Sequence, residues 1–125
     1  MPQYIGVDII EILRIRQACT RWGEVFLERV FTPREISLYR NQYPSLAARF
    51  AAKEAVIKAF GEPRRFPMKW TDIEVFNDSE GKPIVELHDD ALKLKKRKKV
   101  NSIILSMAHS RNYAVANAIL IKKGR

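Results

Sequence analysis

The spacing of apolar and polar residues predicts strands at both ends of the chain and a long helix between them. Residues 4–10 are β-branched and apolar around Gly6 and Asp8, the pattern of a buried strand. Residues 12–29 follow a helical period in one bent or two short pieces around Gly23, with Ile12, Ile15, Ala18, Val25, Phe26 and Val30 as core candidates. Thr32-Pro33-Arg34-Glu35 is a capping box: Thr32 at the N-cap, Pro33 in the first helical position and Glu35 reaching back. It predicts a helix to about Asn41. Pro44-Ser45 opens a central helix over 46–60, which Gly61 ends.

Glu62 to Lys69 is a basic, proline-containing loop, and Asp72 to Phe76 then alternates as a strand. Residues 77–82 turn the chain into a hairpin partner over Pro83 to Leu87. Ala91 to Lys99 reads as a short basic helix, and Ser102–Met107 pairs with Tyr113–Ile121 across Ser110-Arg111-Asn112. This order predicts a single domain over 1–125, of α+β class, with a mainly antiparallel sheet packed on helices.

A length of 125 residues and a hydrophobic share of 46% suit one globular core and exclude a disordered chain. Twenty-three basic residues against fourteen acidic ones leave a formal charge of +9. Such a balance favours an anionic partner without choosing among nucleic acid, a phosphate-rich cofactor, an acidic protein and a membrane surface. The single Cys19 excludes an internal disulfide and a cysteine metal site, so a cytoplasmic location is expected. The start of the chain does not read as a signal peptide, and no apolar run is long enough to span a bilayer.

Two carboxylates stand where apolar neighbours dominate. Asp8 interrupts a run of Ile and Val, and Glu54 sits in a helix with almost no polar face. On a helical projection Leu46, Phe50, Val56, Ile57 and Phe60 form the heavy apolar arc, with Arg49 and Lys53 inside it. Glu54 and Lys58 flank that arc beside Ala47, Ala51, Ala55 and Ala59, a small-residue side that another backbone can approach. Glu54–Lys58 reads either as a surface ion pair, worth about 0.3–0.5 kcal/mol, or as half of a site. Asp8 reads either as a carboxylate held by backbone N–H groups or one lysine, or as the other half. Gly6 beside it would leave space for a ligand. Oxygen-only ligands favour Mg²⁺, which takes one or two protein carboxylates together with phosphate and water.

Together these residues resemble the holo-acyl-carrier-protein synthases, small trimeric 4′-phosphopantetheinyl transferases. The resemblance lies in Gly6-Val7-Asp8-Ile9-Ile10-Glu11 with Arg14, in Phe31-Thr32-Pro33-Arg34-Glu35, and in Arg49-Phe50-Ala51-Ala52-Lys53-Glu54-Ala55 with Lys58-Ala59-Phe60-Gly61. It continues through Trp70-Thr71-Asp72-Ile73-Glu74-Val75, Gly81-Lys82-Pro83, Ser106, His109 and Tyr113-Ala114. It implies the fold of that family and transfer of phosphopantetheine from coenzyme A to a carrier-protein serine, releasing adenosine 3′,5′-bisphosphate. It implies Asp8 and Glu54 as Mg²⁺ ligands, and Asp8, Glu54 and Lys58 as the catalytic set. Lys53 and Lys58 would face the diphosphate, with Arg49, Arg64 and His109 also on coenzyme A. His109 would serve a neighbouring subunit's site in a homotrimer. Arg14 and Arg21 would meet the acidic recognition helix of the acyl carrier protein. Glu54, or a water held by the metal, would take the serine proton. Ala108 stands where the family has Ser or Thr, and Glu62-Pro63-Arg64-Arg65-Phe66-Pro67 replaces a glycine-rich loop.

The remaining signals are weaker. Lys93, Lys95, Lys96, Arg97, Lys98 and Lys99 invite a nucleic-acid reading, but no aromatic lies within the run to stack on bases. Neither nucleic acid nor a membrane is the expected partner; a non-catalytic basic module that binds nucleic acid is the alternative. His88 reads as a satisfied core or hairpin histidine, and Trp22 and Trp70 read as core or interface residues.

Overall fold

An 18-residue helix that is apolar on nearly every side, α4 (Tyr43–Phe60), forms the axis around which the rest of the chain packs. The computed structural model describes residues 3–62 and 68–124. Strand β1 (Gln3–Glu11) leads into α1 (Ile12–Trp22), α2 (Glu24–Val30), α3 (Pro33–Tyr39) and then α4. A 3₁₀ turn at Trp70–Asp72 precedes the hairpin β2 (Ile73–Asn77) and β3 (Pro83–Leu87). Helix α5 (Asp89–Arg97) follows, then β4 (Val100–His109) and β5 (Tyr113–Lys122). The three longer strands form an antiparallel sheet in the order β1-β5-β4, and β2-β3 form a second, two-stranded one. Among the described residues no helix is long and apolar enough to cross a membrane.

The α+β architecture matches the pattern-based reading, and the local signals explain why. Thr32 and Glu35 make the reciprocal bonds of the capping box. The helix they start stops at Tyr39, two residues earlier than expected, because Asn41 turns the backbone into the left-handed region at φ 67. Helix α4 begins at Tyr43 with Pro44 in its first turn and ends on Gly61 in the left-handed conformation. In α5, Asp89 and Asp90 occupy the first turn and Lys95, Lys96 and Arg97 the last, each complementing the helix dipole.

Val25 differs from expectation: it is exposed, and Leu27 is buried instead. The break at Gly23 starts α2 on a new axis, so the helical phase of α1 does not carry through.

The alanine side of α4 packs on the sheet. Ala51, Ala55 and Ala59 are buried, as are Ala114, Ala116 and Ala118 of β5, and small side chains on both layers let helix and sheet approach closely. Gly6 belongs to that contact. A Cβ there would lie 2.0 Å from the Ala55 carbonyl oxygen and 2.7 Å from the Ala59 nitrogen. The space beside Asp8 is thus filled by α4, not left for a ligand. The opposite face of the sheet is open: Ile5 (70% exposed), Val7, Ile9 (63%) and Ile104 lie on it together.

Candidate active site

Glu54 and Lys58 stand one turn apart on α4, so both project from the same side of the helix. The Lys58 ammonium reaches β1, 2.8 Å from Asp8 Oδ1 and 3.2 Å from the Val7 carbonyl oxygen. That bond joins residues 50 positions apart and ties the strand's interrupting acid to the helix carrying the second one. Lys58 is mostly exposed and Asp8 mostly covered. The ammonium is therefore partly solvated and available to an incoming anion.

Glu54 is half-buried, and its Oε2 accepts a hydrogen bond from Trp70 Nε1 at 3.3 Å. The Trp70 ring leans on Phe50, with centroids 5.7 Å apart. Glu54 and Trp70 wall a cleft of about 920 Å³ between the end of α4 and the segment leading to β2. Its lining is Glu54, Ile57, Lys58, Gly61 and Glu62 from α4 and its end, Met68, Lys69 and Trp70 opposite, and Arg29 from α2. Three cations in a concave, partly apolar wall suit a phosphorylated ligand that also carries uncharged surface.

The carboxylate pair fits Mg²⁺ by its donor chemistry. Asp8 Oδ1 holds Lys58 and Glu54 Oε2 holds Trp70. Among the described residues no hydrogen bond engages the second oxygen of either acid, which leaves each a hard donor for a hard cation. A separate group, Glu74, Glu86 and His88, brings one ligand atom from each within 4.8 Å of the others. Its members already have protein partners: Thr32 Oγ1 donates to Glu74 at 2.5 Å, His88 lies 3.2 Å from Glu74, and Arg34 lies 3.4 Å from Glu86.

Two residues expected on coenzyme A lie in the core. Lys53 does not face the cleft; it is fully buried (0% exposed). Its position next to Glu54 in sequence turns it about 100° around the helix, towards α3 and β2. There its ammonium donates to Glu35 Oε1 at 2.7 Å and to the carbonyls of Trp70 and Ile73 at 3.1 and 2.6 Å. Glu35 in turn accepts the backbone N–H groups of Thr32 and Val75. Burial pushes the Lys53 ammonium below its ordinary value, and Glu35 opposes that shift. Arg49, 6% exposed, is also a core residue. Its guanidinium donates to Tyr39 Oη at 3.0 Å and lies 4.0 Å from that ring's centre.

The other expected residues are spread over the surface. Arg14 and Arg21 are exposed on α1, with Arg21 stacked 4.9 Å from the Trp22 ring. His109 is exposed at the end of β4, on the face of the sheet that Asp8 shares, and does not line the cleft of its own chain. Arg64, with the rest of 63–67, lies outside the described residues. Arg29, Lys69 and the Trp70 contact with Glu54 were not anticipated. Only the Lys69-Trp70 pair carried a signal, a cation and an aromatic together after a basic loop.

Fold and site together describe a small α+β protein with a cationic cleft beside two carboxylates. The family model described as the 4′-phosphopantetheinyl transferase superfamily matches residues 4–118, and the chain belongs to that family. Relatives place it among the holo-[acyl-carrier-protein] synthases, so the chain is a phosphopantetheinyl-transferring enzyme of that kind. The Dehalococcoides mccartyi (strain CBDB1) synthase is 47% identical over 116 residues, 93% of this chain and 96% of that one. The Clostridium tetani synthase is 49% identical over 119 residues, 93% of each. Among solved structures, the Neisseria meningitidis synthase superposes with a TM-score of 0.87 at 30% identity, covering 95% of this chain and 98% of that one. The Helicobacter pylori synthase, solved in complex with coenzyme A, gives 0.84 at 29% identity over 93% and 98%.

Proposed function

We propose that the chain transfers the 4′-phosphopantetheine group of coenzyme A to a serine hydroxyl of an apo acyl carrier protein, releasing adenosine 3′,5′-bisphosphate in a Mg²⁺-dependent reaction. The observation that carries this reading is the Asp8–Lys58–Glu54 arrangement at the edge of a cationic cleft. The coenzyme A bound by a structural relative supports the choice of donor.

The transfer breaks the bond between the β-phosphorus of coenzyme A and the bridging diphosphate oxygen, and forms a phosphodiester with the serine oxygen. It needs charge on the diphosphate neutralised and the serine proton removed. Lys58, held by Asp8 and the Val7 carbonyl, presents its ammonium to the diphosphate from a fixed position. Arg29 and Lys69 add positive potential along the cleft. A bound Mg²⁺, held by the free oxygens of Asp8 and Glu54, would supply Lewis-acid neutralisation of the phosphoryl oxygens. Glu54 is the chain's own candidate for receiving the serine proton, through Oε2, which keeps a lone pair beside the Trp70 bond that limits its rotation.

The working assembly is a homotrimer with sites between subunits. The exposed sheet face bearing Ile5, Val7, Ile9 and Ile104 supplies the apolar surface for it. His109, at the end of that sheet and away from its own cleft, serves the coenzyme A of a neighbour. Arg14 and Arg21 steer the acidic carrier protein through exposed charge on α1.

Intact-mass measurement of an apo carrier protein incubated with the enzyme, coenzyme A and Mg²⁺ tests the reading. The carrier gains one phosphopantetheine group, and a chelator prevents the gain. A carrier of unchanged mass, under conditions where a known synthase modifies it, contradicts the proposal.

A further inference from the structure

Trp70 contacts three successive features of α4 at once. Its ring packs on Phe50, its carbonyl oxygen accepts from Lys53 at 3.1 Å, and its indole N–H donates to Glu54 at 3.3 Å. Lys53 and Glu54 are adjacent in sequence, so the same turn of helix grips the Trp70 main chain from inside and receives its side chain from the cleft. The grip is complete: the three N–H bonds of the Lys53 ammonium go to Glu35, Trp70 and Ile73. A buried ion pair adds little stability over an apolar pair of similar volume. Its geometric effect here is specific, because it fixes the height of the 70–73 segment against α4.

We propose that Trp70 is a positioning residue for Glu54, anchored by the buried Glu35–Lys53 pair. This rests on the reading of Glu54 as an acid of the reaction. An indole N–H only donates, so it holds one carboxylate oxygen without competing for a cation. The other oxygen is thereby presented in one orientation. Partners of this outer kind orient a ligating carboxylate, and their removal costs roughly 10–100-fold in metal affinity or activity.

The chain has two tryptophans, Trp22 and Trp70, so Trp22→Phe leaves Trp70 as the only one. Titrating that variant with Mg²⁺ alone should give a saturable change in tryptophan emission, and adding Glu54→Gln should flatten it. This arm needs no substitution at Trp70 and does not depend on how Trp70→Phe folds. The second arm is a kinetic cycle. Trp70→Phe, which keeps the contact with Phe50, should raise the half-saturating Mg²⁺ concentration and lower turnover by about tenfold. In a Glu54→Gln background it should add almost nothing, since the group it positions is gone. Emission indifferent to Mg²⁺, or effects of Trp70→Phe and Glu54→Gln that multiply, overturn the positioning role while leaving Glu54 in the site. Full turnover by Glu54→Gln instead overturns the reading of Glu54, and the proposal with it.

Discussion

Gly6 of β1 lies directly beneath the main chain of Ala55, so close that a methyl group would stand 2.0 Å from the Ala55 carbonyl oxygen. Neither partner is a flexible side-chain end, so the contact cannot relax without moving α4 away from the sheet. That movement would also part Lys58 from Asp8, since they bridge the same two elements. Gly6→Ala should therefore lower unfolding free energy by about 3 kcal/mol, as overpacking a tight core does, and depress turnover in the folded fraction. Urea denaturation with parallel assays checks it; an unchanged midpoint would mean that helix and strand are not held at this distance.

Lys53→Met separates a structural lysine from a ligand-binding one. Removing the cation leaves Glu35 buried and unpaired, which typically costs about 3–5 kcal/mol. The expected result is a large fall in stability on urea unfolding. A variant of native stability with a raised KM for coenzyme A would restore Lys53 to the diphosphate.

Acid sensitivity should centre partly on Glu74. Burial acts to raise its carboxyl, but the Thr32 hydroxyl and then His88 outweigh that and hold it below the ordinary carboxylate value. A carboxyl lowered on folding contributes stability that is fully present above its unfolded value of about 4.3 and is lost as pH falls through its folded value. Wild type should exceed Glu74→Gln in melting temperature near pH 6, and the gap should close as pH drops below about 4.3. Thermal melts from pH 3 to 7 read this directly; a gap independent of pH would contradict it.

How far the sequence shows these relationships depends on how local they are. The Thr32–Glu35 cap and the Gly61 stop were legible because each is contained within one turn of chain. The two hairpins were legible through alternation and turns, whereas the pairing of β1 with β5 was not, because no turn links those strands. Val25 was misplaced because a single residue, Gly23, resets the helical phase. Gly6 showed that something approaches β1 closely, yet strand pattern cannot tell a ligand from the backbone of α4. Lys53 and Lys58 look equivalent as lysines near Glu54, and only the fold brings Glu35, 18 positions away, to one and Asp8, 50 positions away, to the other.

The open sheet face sets an expectation for assembly. Ile104→Lys places a charge among Ile5, Val7 and Ile9 without touching the cleft. Light scattering should give a trimer for wild type and a smaller species for the variant, with turnover falling in step with trimer content. A wild-type monomer with full activity would contradict sites shared between subunits.

The central claim is that the carboxylates of Asp8 and Glu54 act together in the transfer. Asp8→Asn and Glu54→Gln keep size and hydrogen-bonding capacity while removing one charge each. The most direct measurement is the rate at which each variant, shown to be folded by circular dichroism, loads phosphopantetheine onto an apo carrier protein at saturating coenzyme A and Mg²⁺. Both rates should fall at least about a hundredfold, the scale of losing a main electrostatic element in phosphoryl-type transfer. Loading at near wild-type rate by either folded variant would contradict the account.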